Sequence, residues 1–270
     1  MMRIVFPEYN NPITQEALAI FKDPTRPVTG PRFVKPEDIT AVPAKTLDEA
    51  CHMLTEKSAD AMIVGLDYTS RDVILACREH LGMATNPHTD QTYDTFSGMA
   101  VMQRDEARYI LADMAACKHP TKEQLVEIVW QTYTSALKLL SDQPRIALLS
   151  FSTFGSGGDD PTITLMRDVL AEFKDSGLMI DGEMQLDAAI NPMIGYKKAP
   201  SSLVAGQANV LIAPDLNSGN LIYKTFEQIA AFTVAGPILQ GFNYPVSDLS
   251  RGSTAADVAL TIETMAQLSQ

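Results

Sequence analysis

Arg145-Ile146-Ala147-Leu148-Leu149-Ser150-Phe151, followed by Ser152-Thr153-Phe154-Gly155-Ser156-Gly157-Gly158-Asp159-Asp160-Pro161, decides the fold class. An unbroken apolar run of this length reads as a strand buried on both faces, as in parallel sheets. A glycine- and serine-rich loop leaves it. Pro161 then suits the first turn of a helix, where the N–H that proline lacks would have no partner. Strand, loop and helix in that order form the repeating unit of an α/β protein.

The same alternation continues outward. Residues 209–213 form a second buried strand, followed by Pro214-Asp215-Leu216-Asn217-Ser218-Gly219 and a helix expected to reach about residue 232. Upstream, residues 59–66 are an apolar strand, and Thr69 or Ser70 caps a helix to about residue 81. Residues 97–103 and 108–113 read as a hairpin joined at Arg104-Asp105-Glu106-Ala107. Thr121 and Gln124 have capping-box spacing at the head of a helix to about residue 140. A helix over 47–57 puts Ala50, Met53 and Leu54 on one face, and residues 3–7 are an opening strand. Six prolines (Pro12, Pro24, Pro27, Pro31, Pro36 and Pro43) limit regular structure in 10–45 to one short helix near 14–21. The last helix, 255–268, aligns Val258, Ile262 and Met265. The fold class is therefore α/β, with helices on both sheet faces and a lobe boundary near 118–121.

Composition narrows the function. The net charge of −12 argues against general nucleic-acid binding, which needs a basic footprint, and against an anionic membrane surface. No apolar run is long enough to cross a bilayer. No signal peptide is visible, so a cytoplasmic location is expected. Cys51, Cys77 and Cys117 are odd in number and scattered, which reads as free thiols. The four histidines show no ligand spacing. Asp181, Glu183 and Asp187 lie close in sequence, but no further ligand suggests a metal, and none is expected.

Three polar loops follow strands, where open α/β sheets bind ligands. Ser152, Thr153, Gly155 and Ser156 occupy the first, where backbone N–H groups at a helix start could meet an anion. The alternative is a surface connection whose Gly and Ser satisfy turn geometry. In the second, Asn220 and Lys224 share a helix face and could reach a phosphate or carbonyl. The alternative has Asn217 or Ser218 as the N-cap and Lys224 solvated. The third is Pro245-Val246-Ser247-Asp248-Leu249-Ser250-Arg251-Gly252 with Asp257. Arg251 has the side chain best shaped to hold a phosphate, or is an ordinary surface cation. Asp257 is a possible base, or the closing member of a Thr254-x-x-Asp257 capping box.

Together these segments resemble the phosphate acetyltransferases of the phosphate acetyl/butyryl transferase group. The resemblance is carried by Arg145–Thr153, Ile180-Asp181-Gly182-Glu183-Met184-Gln185-Leu186-Asp187, Lys198-Ala199-Pro200 with Val204-Ala205-Gly206, and Pro214–Asn220 with Tyr223-Lys224. Gly236-Pro237-Ile238-Leu239-Gln240-Gly241 and Leu249-Ser250-Arg251-Gly252 complete it. In the N-terminal half only Ile4–Glu8, 59–65 and 109–113 can be placed. Several dozen residues usual in the family are missing between the first two. Arg71 and Arg78 lie in the helix where the family carries arginines for coenzyme A, but out of register.

The resemblance implies a two-lobed α/β/α fold like isocitrate or isopropylmalate dehydrogenase, with a mostly parallel sheet in each lobe. One lobe would be residues 1–117 with 242–270. The other, 118–241, would carry the contacts of a homodimer. It implies reversible acetyl transfer between coenzyme A and phosphate, with both as small-molecule substrates and no permanently bound cofactor. By resemblance Asp257 is the base, Ser250 orients the thiol and Arg251 holds the phosphate. Ser152, Thr153, Gly155, Ser156, Asn220 and Lys224 would bind substrate. Transfer of butyryl, or a non-catalytic relative binding coenzyme A or an acyl phosphate, are the alternatives.

Overall fold

The expected alternation is realised as a single ten-stranded sheet with helices on both faces. The computed structural model describes residues 1–23, 25 and 34–269. Pro24, Pro27 and Pro31 lie outside the described residues. The first part runs β1 (Met2–Phe6), α1 (Pro12–Lys22), β2 (Ile39–Pro43), α2 (Leu47–Thr55), β3 (Ala61–Val64) and α3 (Ser70–His80). The hairpin β4 (Ser97–Arg104) and β5 (Ala107–Ala112) leads to α4 (Lys122–Leu139). Then come β6 (Arg145–Leu149), α5 (Pro161–Glu172), β7 (Met179–Met184), α6 (Leu186–Ile190), α7 (Pro192–Lys198), β8 (Val210–Ile212) and α8 (Leu216–Gln228). The chain ends with β9 (Thr233–Gln240), β10 (Val246–Asp248) and α9 (Ala255–Leu268).

Strand order is β2-β1-β3-β10-β9-β4-β5-β8-β6-β7. Pairing is parallel at both ends, over β2-β1-β3-β10 and over β5-β8-β6-β7. It is antiparallel in the centre, where β9 links β10 to the hairpin β4-β5. The parallel blocks match the apolar strands: β3 and β8 are buried throughout, as is β6 after Arg145. On one face, α1, α4, α5 and α9 pack on Ile4, Ile63, Ile110, Ile146 and Ile238. On the other, α2 and α3 cover Val5, Met62 and Val246, and α8 covers the hairpin and β9 around Tyr223.

Two local differences have physical causes. β2 is a strand within the proline-rich segment, where one short helix was expected. It is an edge strand, pairing in parallel only with β1 from Met2↔Ile39 to Phe6↔Pro43, and its residues are half-buried or exposed. Proline is tolerated at such an edge because no neighbour needs its missing N–H. Helix α8 stops at Gln228, short of residue 232, and Ala231 takes a positive φ of 53° as the chain turns into β9.

α9 is the central helix. Every residue from Ala255 to Gln267 except Ala256 is buried, including the expected stripe of Val258, Ile262 and Met265. Each such apolar side chain contributes roughly 1.5–3 kcal/mol on burial. The segment just before α9 is thereby held on a well-packed element.

Candidate active site

The site forms where β10 ends. The Leu249 N–H donates to the Val64 carbonyl at 2.6 Å, fixing the chain after β10 against the end of β3. The Ser253 N–H then donates to the Ser250 carbonyl at 2.8 Å. This turn sets Ser250-Arg251-Gly252 at the carboxyl end of β10, immediately before the Thr254 cap of α9. A pocket of about 220 Å³ opens there, bordered by Ser250, Arg251, Asp248, Asn220, Tyr68 and Ser70 among others.

The sequence-derived candidates Ser250, Arg251 and Asn220 therefore meet in one pocket. Arg251 is exposed and makes no hydrogen bond or ion pair with another described residue. The Ser250 hydroxyl oxygen accepts from the Gly252 N–H at 3.2 Å, which leaves its O–H free to donate. Asn220 reaches the pocket from the first turns of α8, its Nδ2 donating to the Met114 carbonyl at 3.4 Å. Gly219 makes this approach possible, since a Cβ there would collide with the Asp113 carbonyl oxygen.

Two buried carboxylates shape the walls. Glu8 accepts from the N–H groups of Gly65 and Leu66 through one oxygen, at 2.9 and 3.0 Å. Its other oxygen accepts from Asp67 and Tyr68, at 2.6 and 2.9 Å. Asp113 likewise gathers the N–H groups of Gly98, Ala115, Ala116 and Cys117. Charge-assisted bonds of this kind are roughly twice as strong as neutral ones. They hold the β3–α3 and β5–α4 loops, which supply Gly65, Tyr68, Met114 and Ala115 to the pocket.

The other candidates lie elsewhere. The loop of Ser152, Thr153, Gly155 and Ser156 follows β6, five strands away from β10. At a spacing of about 4.8 Å per strand this is roughly 24 Å. Its donors are already used from within: Glu183 of β7, fully buried, accepts from the Ser152 hydroxyl at 2.8 Å and the Gly155 N–H at 2.8 Å. The Arg167 guanidinium closes on the same carboxylate at 2.8 Å. Burial pushes Glu183 up, but these hydrogen bonds outweigh it and hold the carboxyl below the ordinary range. Lys224 pairs with Glu227 at 3.0 Å, lies over the Tyr223 ring, and does not border the pocket.

Asp257 also stays outside the pocket lining. Its Oδ2 accepts from the Thr254 N–H at 2.8 Å and the Thr254 hydroxyl at 2.6 Å. Its Oδ1 accepts from the Val234 N–H at 3.1 Å. The capping box at the head of α9 is complete. The acidic run in and after β7 is similarly divided: Asp181 accepts from Ser202, Glu183 pairs with Arg167 and Asp187 with Lys198. Among the described residues no group of three or more His, Cys, Asp or Glu is placed to hold a metal ion. No described helix is long and apolar enough to cross a membrane.

Asp248 is the pocket residue that sequence reasoning passed over. It is 3% exposed, and its Oδ1 has no hydrogen-bond partner. Burial is the main cause that pushes its carboxyl up to about 6; a hydrogen bond with Ser70 works against this, and the nearby Glu8 charge adds to it. The available signal was a carboxylate at the end of the short segment Val246-Ser247-Asp248, two residues before Ser250.

A family model described as phosphate acetyl/butaryl transferase matches residues 2–266. The phosphate acetyltransferase of Bacillus subtilis is 38% identical over 201 residues, covering 74% of this chain and 60% of that protein. The chain spans about 60% of the length of the first curated relatives it matches, and 29% of the phosphate acetyltransferase of Escherichia coli. Among solved structures, the EutD phosphotransacetylase from Staphylococcus aureus superposes with a TM-score of 0.77 at 27% identity, over 99% of this chain and 94% of that one. A 4-hydroxythreonine-4-phosphate dehydrogenase from Klebsiella pneumoniae shares the fold, with a TM-score of 0.57 at 11% identity over 100% and 99% of the two chains.

Proposed function

This chain belongs to the phosphate acetyl/butyryl transferase family, and we propose that it transfers an acetyl group reversibly between coenzyme A and phosphate. The observation that carries this reading is the unpaired Arg251 guanidinium sharing a pocket with Ser250 and Asn220. In a chain of net charge −12, a cation left without a carboxylate partner at a strand end is placed for an anion from outside.

Each residue has a part set by its chemistry. Arg251 holds the phosphoryl oxygens and offsets the charge that grows on phosphate as it leaves. Ser250 donates its hydroxyl to orient the incoming thiol. Asn220 offers an amide to the carbonyl end of acetyl phosphate. Holding thiol and carbonyl together removes much of the entropic cost of a two-substrate reaction. Ser152, Thr153, Gly155, Ser156 and Lys224 receive no role at the reacting atoms, because their donors serve Glu183, Gln185 and Glu227 or lie far from Arg251. Asp257 is a positioning residue: its cap starts α9 directly behind Ser250-Arg251-Gly252. Its carboxylate spends three acceptor sites on Thr254 and Val234.

The test is direct. Purified protein given coenzyme A with acetyl phosphate, and separately with butyryl phosphate, is followed by thioester absorbance. Acetyl-CoA is expected to form faster. Thioester from butyryl phosphate alone would move the assignment to the longer acyl group, and none from either would end it. Asp257→Asn is expected to keep more than about a tenth of the wild-type turnover, because the amide oxygen can still cap. Asp257→Ala is expected to lose about 1–3 kcal/mol of stability through the buried N–H groups it leaves unpaired. Chemical denaturation alongside the turnover assay checks both; a loss of about a thousandfold or more in a well-folded Asp257→Asn would return the base to Asp257.

Two copies of the chain are proposed to pair through residues 118–241, the second lobe, with 1–117 and 242–270 forming the first. Met193, Tyr196 and Leu203, all more than 70% exposed, give 118–241 an apolar surface that suits pairing. A monomeric mass by ultracentrifugation would remove this part.

A further inference from the structure

A second pocket lies at the other end of the strands that carry Ser250 and Arg251. Those two residues follow the carboxyl end of β10. This cavity, of about 480 Å³, opens at the amino ends of β3 and β10, where Ala59, Asp60 and Pro245 border it. Helix α2 and its end supply Leu54 and Lys57, and α4 supplies Gln131, Thr134 and Lys138. Pro245 here and Leu249 at the other pocket are about 13 Å apart along an extended chain. No described residue borders both.

Most polar groups of this lining are spent inside the protein. Gln131 donates to the Thr95 carbonyl and accepts from the Ser97 hydroxyl, both at 2.6 Å. Gln240 accepts from the Ser135 hydroxyl at 2.8 Å, and the Thr134 hydroxyl donates to the Trp130 carbonyl at 2.9 Å. Asp60, the acid that borders the pocket, is held by Arg3 through its backbone N–H at 2.7 Å and its guanidinium at 3.3 Å. What remains is a set of donors. Tyr93 is 5% exposed, and its hydroxyl oxygen meets no hydrogen-bond partner. Burial pushes this phenol up to about 12, with Thr134 working against it and the Glu127 charge adding to it. The hydroxyl therefore keeps its proton at neutral pH. The Lys57 ammonium pairs with no described residue. Lys138 spends one of its three N–H groups on the Leu268 carbonyl, at 2.7 Å.

We propose that this pocket binds a small organic carboxylate with an aromatic or branched apolar body. Native proteins leave few buried polar atoms without a partner, and an unfilled donor at a cavity wall is accounted for by an acceptor from outside. A carboxylate brings two acceptor oxygens and the charge that two lysines complement. Lysines without an arginine in the lining give charge but not the planar fork best suited to phosphate. Leu54, Phe242, Tyr244, Pro245 and Leu268 form an apolar wall for the body of the ligand. A cavity of this size with a few convergent polar groups is the usual form of a small-molecule site.

The experiment is calorimetric titration of the full chain at neutral pH with 3-phenylpropanoate, its neutral amide, acetate and inorganic phosphate. 3-Phenylpropanoate is expected to bind with a Kd of about 1 mM or tighter. The amide should bind about tenfold or more weakly, because it brings no charge to the lysines. Acetate and phosphate, which lack the apolar body, should show no measurable heat. Binding in Arg251→Ala should match wild type, since that residue faces the other pocket. Lys57→Gln combined with Lys138→Gln should weaken 3-phenylpropanoate about tenfold or more. Tyr93→Phe should weaken it about three- to tenfold, yet melt no lower than wild type, because the lost hydroxyl strands no partner.

No binding of 3-phenylpropanoate to wild type overturns the site, as does equal binding of the amide. Binding lost in Arg251→Ala but kept in the lysine double variant places the probe in the other pocket and overturns it too. Tyr93→Phe that melts well below wild type removes the tyrosine from the ligand's contacts. These titrations read binding alone, so their failure leaves the acetyl-transfer reading standing, and a chain that forms no thioester leaves this site standing.

Discussion

Arg251→Ala is expected to lower turnover by about 10²–10³-fold, the loss seen when one preorganised donor to developing negative charge is removed. The fold should survive. Arg251 is exposed and bonds to no described residue, so its removal strands no buried partner. An unfolding midpoint close to wild type is therefore expected beside the kinetic loss. Arg251→Lys should recover only part of the rate. An ammonium restores the charge but not the planar fork that meets two phosphate oxygens at once. Steady-state kinetics with acetyl phosphate and coenzyme A decide the matter; near-normal turnover in Arg251→Ala would remove the anion site from this pocket.

Gly65→Ala is expected to damage both stability and activity. Gly65 takes a φ of 116°, which L side chains rarely adopt. Its added Cβ would stand 2.6 Å from both the N and the O of Leu249 and 2.8 Å from Asp248 Oδ1. Two of these contacts are backbone and cannot rotate away. Positive φ costs roughly 1–2 kcal/mol, and overpacking typically another 1–3. A loss of about 2–5 kcal/mol is expected from denaturant unfolding, together with loss of activity. The reason is the bond from Leu249 N to Val64 O: whatever pushes β3 from β10 also moves Ser250 and Arg251. A variant of wild-type stability and activity would show that the β3–β10 ends have slack that the contacts deny.

The local signals explain which elements were legible in the chain. Capping is a matter of three or four neighbouring residues, so Thr121-x-x-Gln124 and Thr254-x-x-Asp257 are recognisable as strings, and both form complete capping boxes. Strands β3, β6 and β8 announce themselves because a strand buried on both faces has no polar alternation to disguise it. β2 does not, because it lies at an edge among prolines, where one face of packing and a single partner suffice. β7 does not, because Met179-Ile180-Asp181-Gly182-Glu183-Met184 carries two acids whose partners, Ser202 and Arg167, lie far off in sequence.

By itself the sequence determined the α/β alternation, the helix starts, and the grouping of Ser250 with Arg251 after an extended segment. It also held two readings of Asp257, a helix cap by local spacing and a base by resemblance. Tertiary structure decided which polar groups are free. Glu183 arrives from the neighbouring strand to occupy the Ser152–Gly155 donors, and Val234 and Thr254 occupy Asp257. Asp248 is left with an empty oxygen beside an unpaired arginine because β3, β10 and α3 converge there from segments some 180 residues apart. A side chain's type is written locally, but its protonation and its availability depend on what the folded chain brings within hydrogen-bond reach and what it shuts away from water.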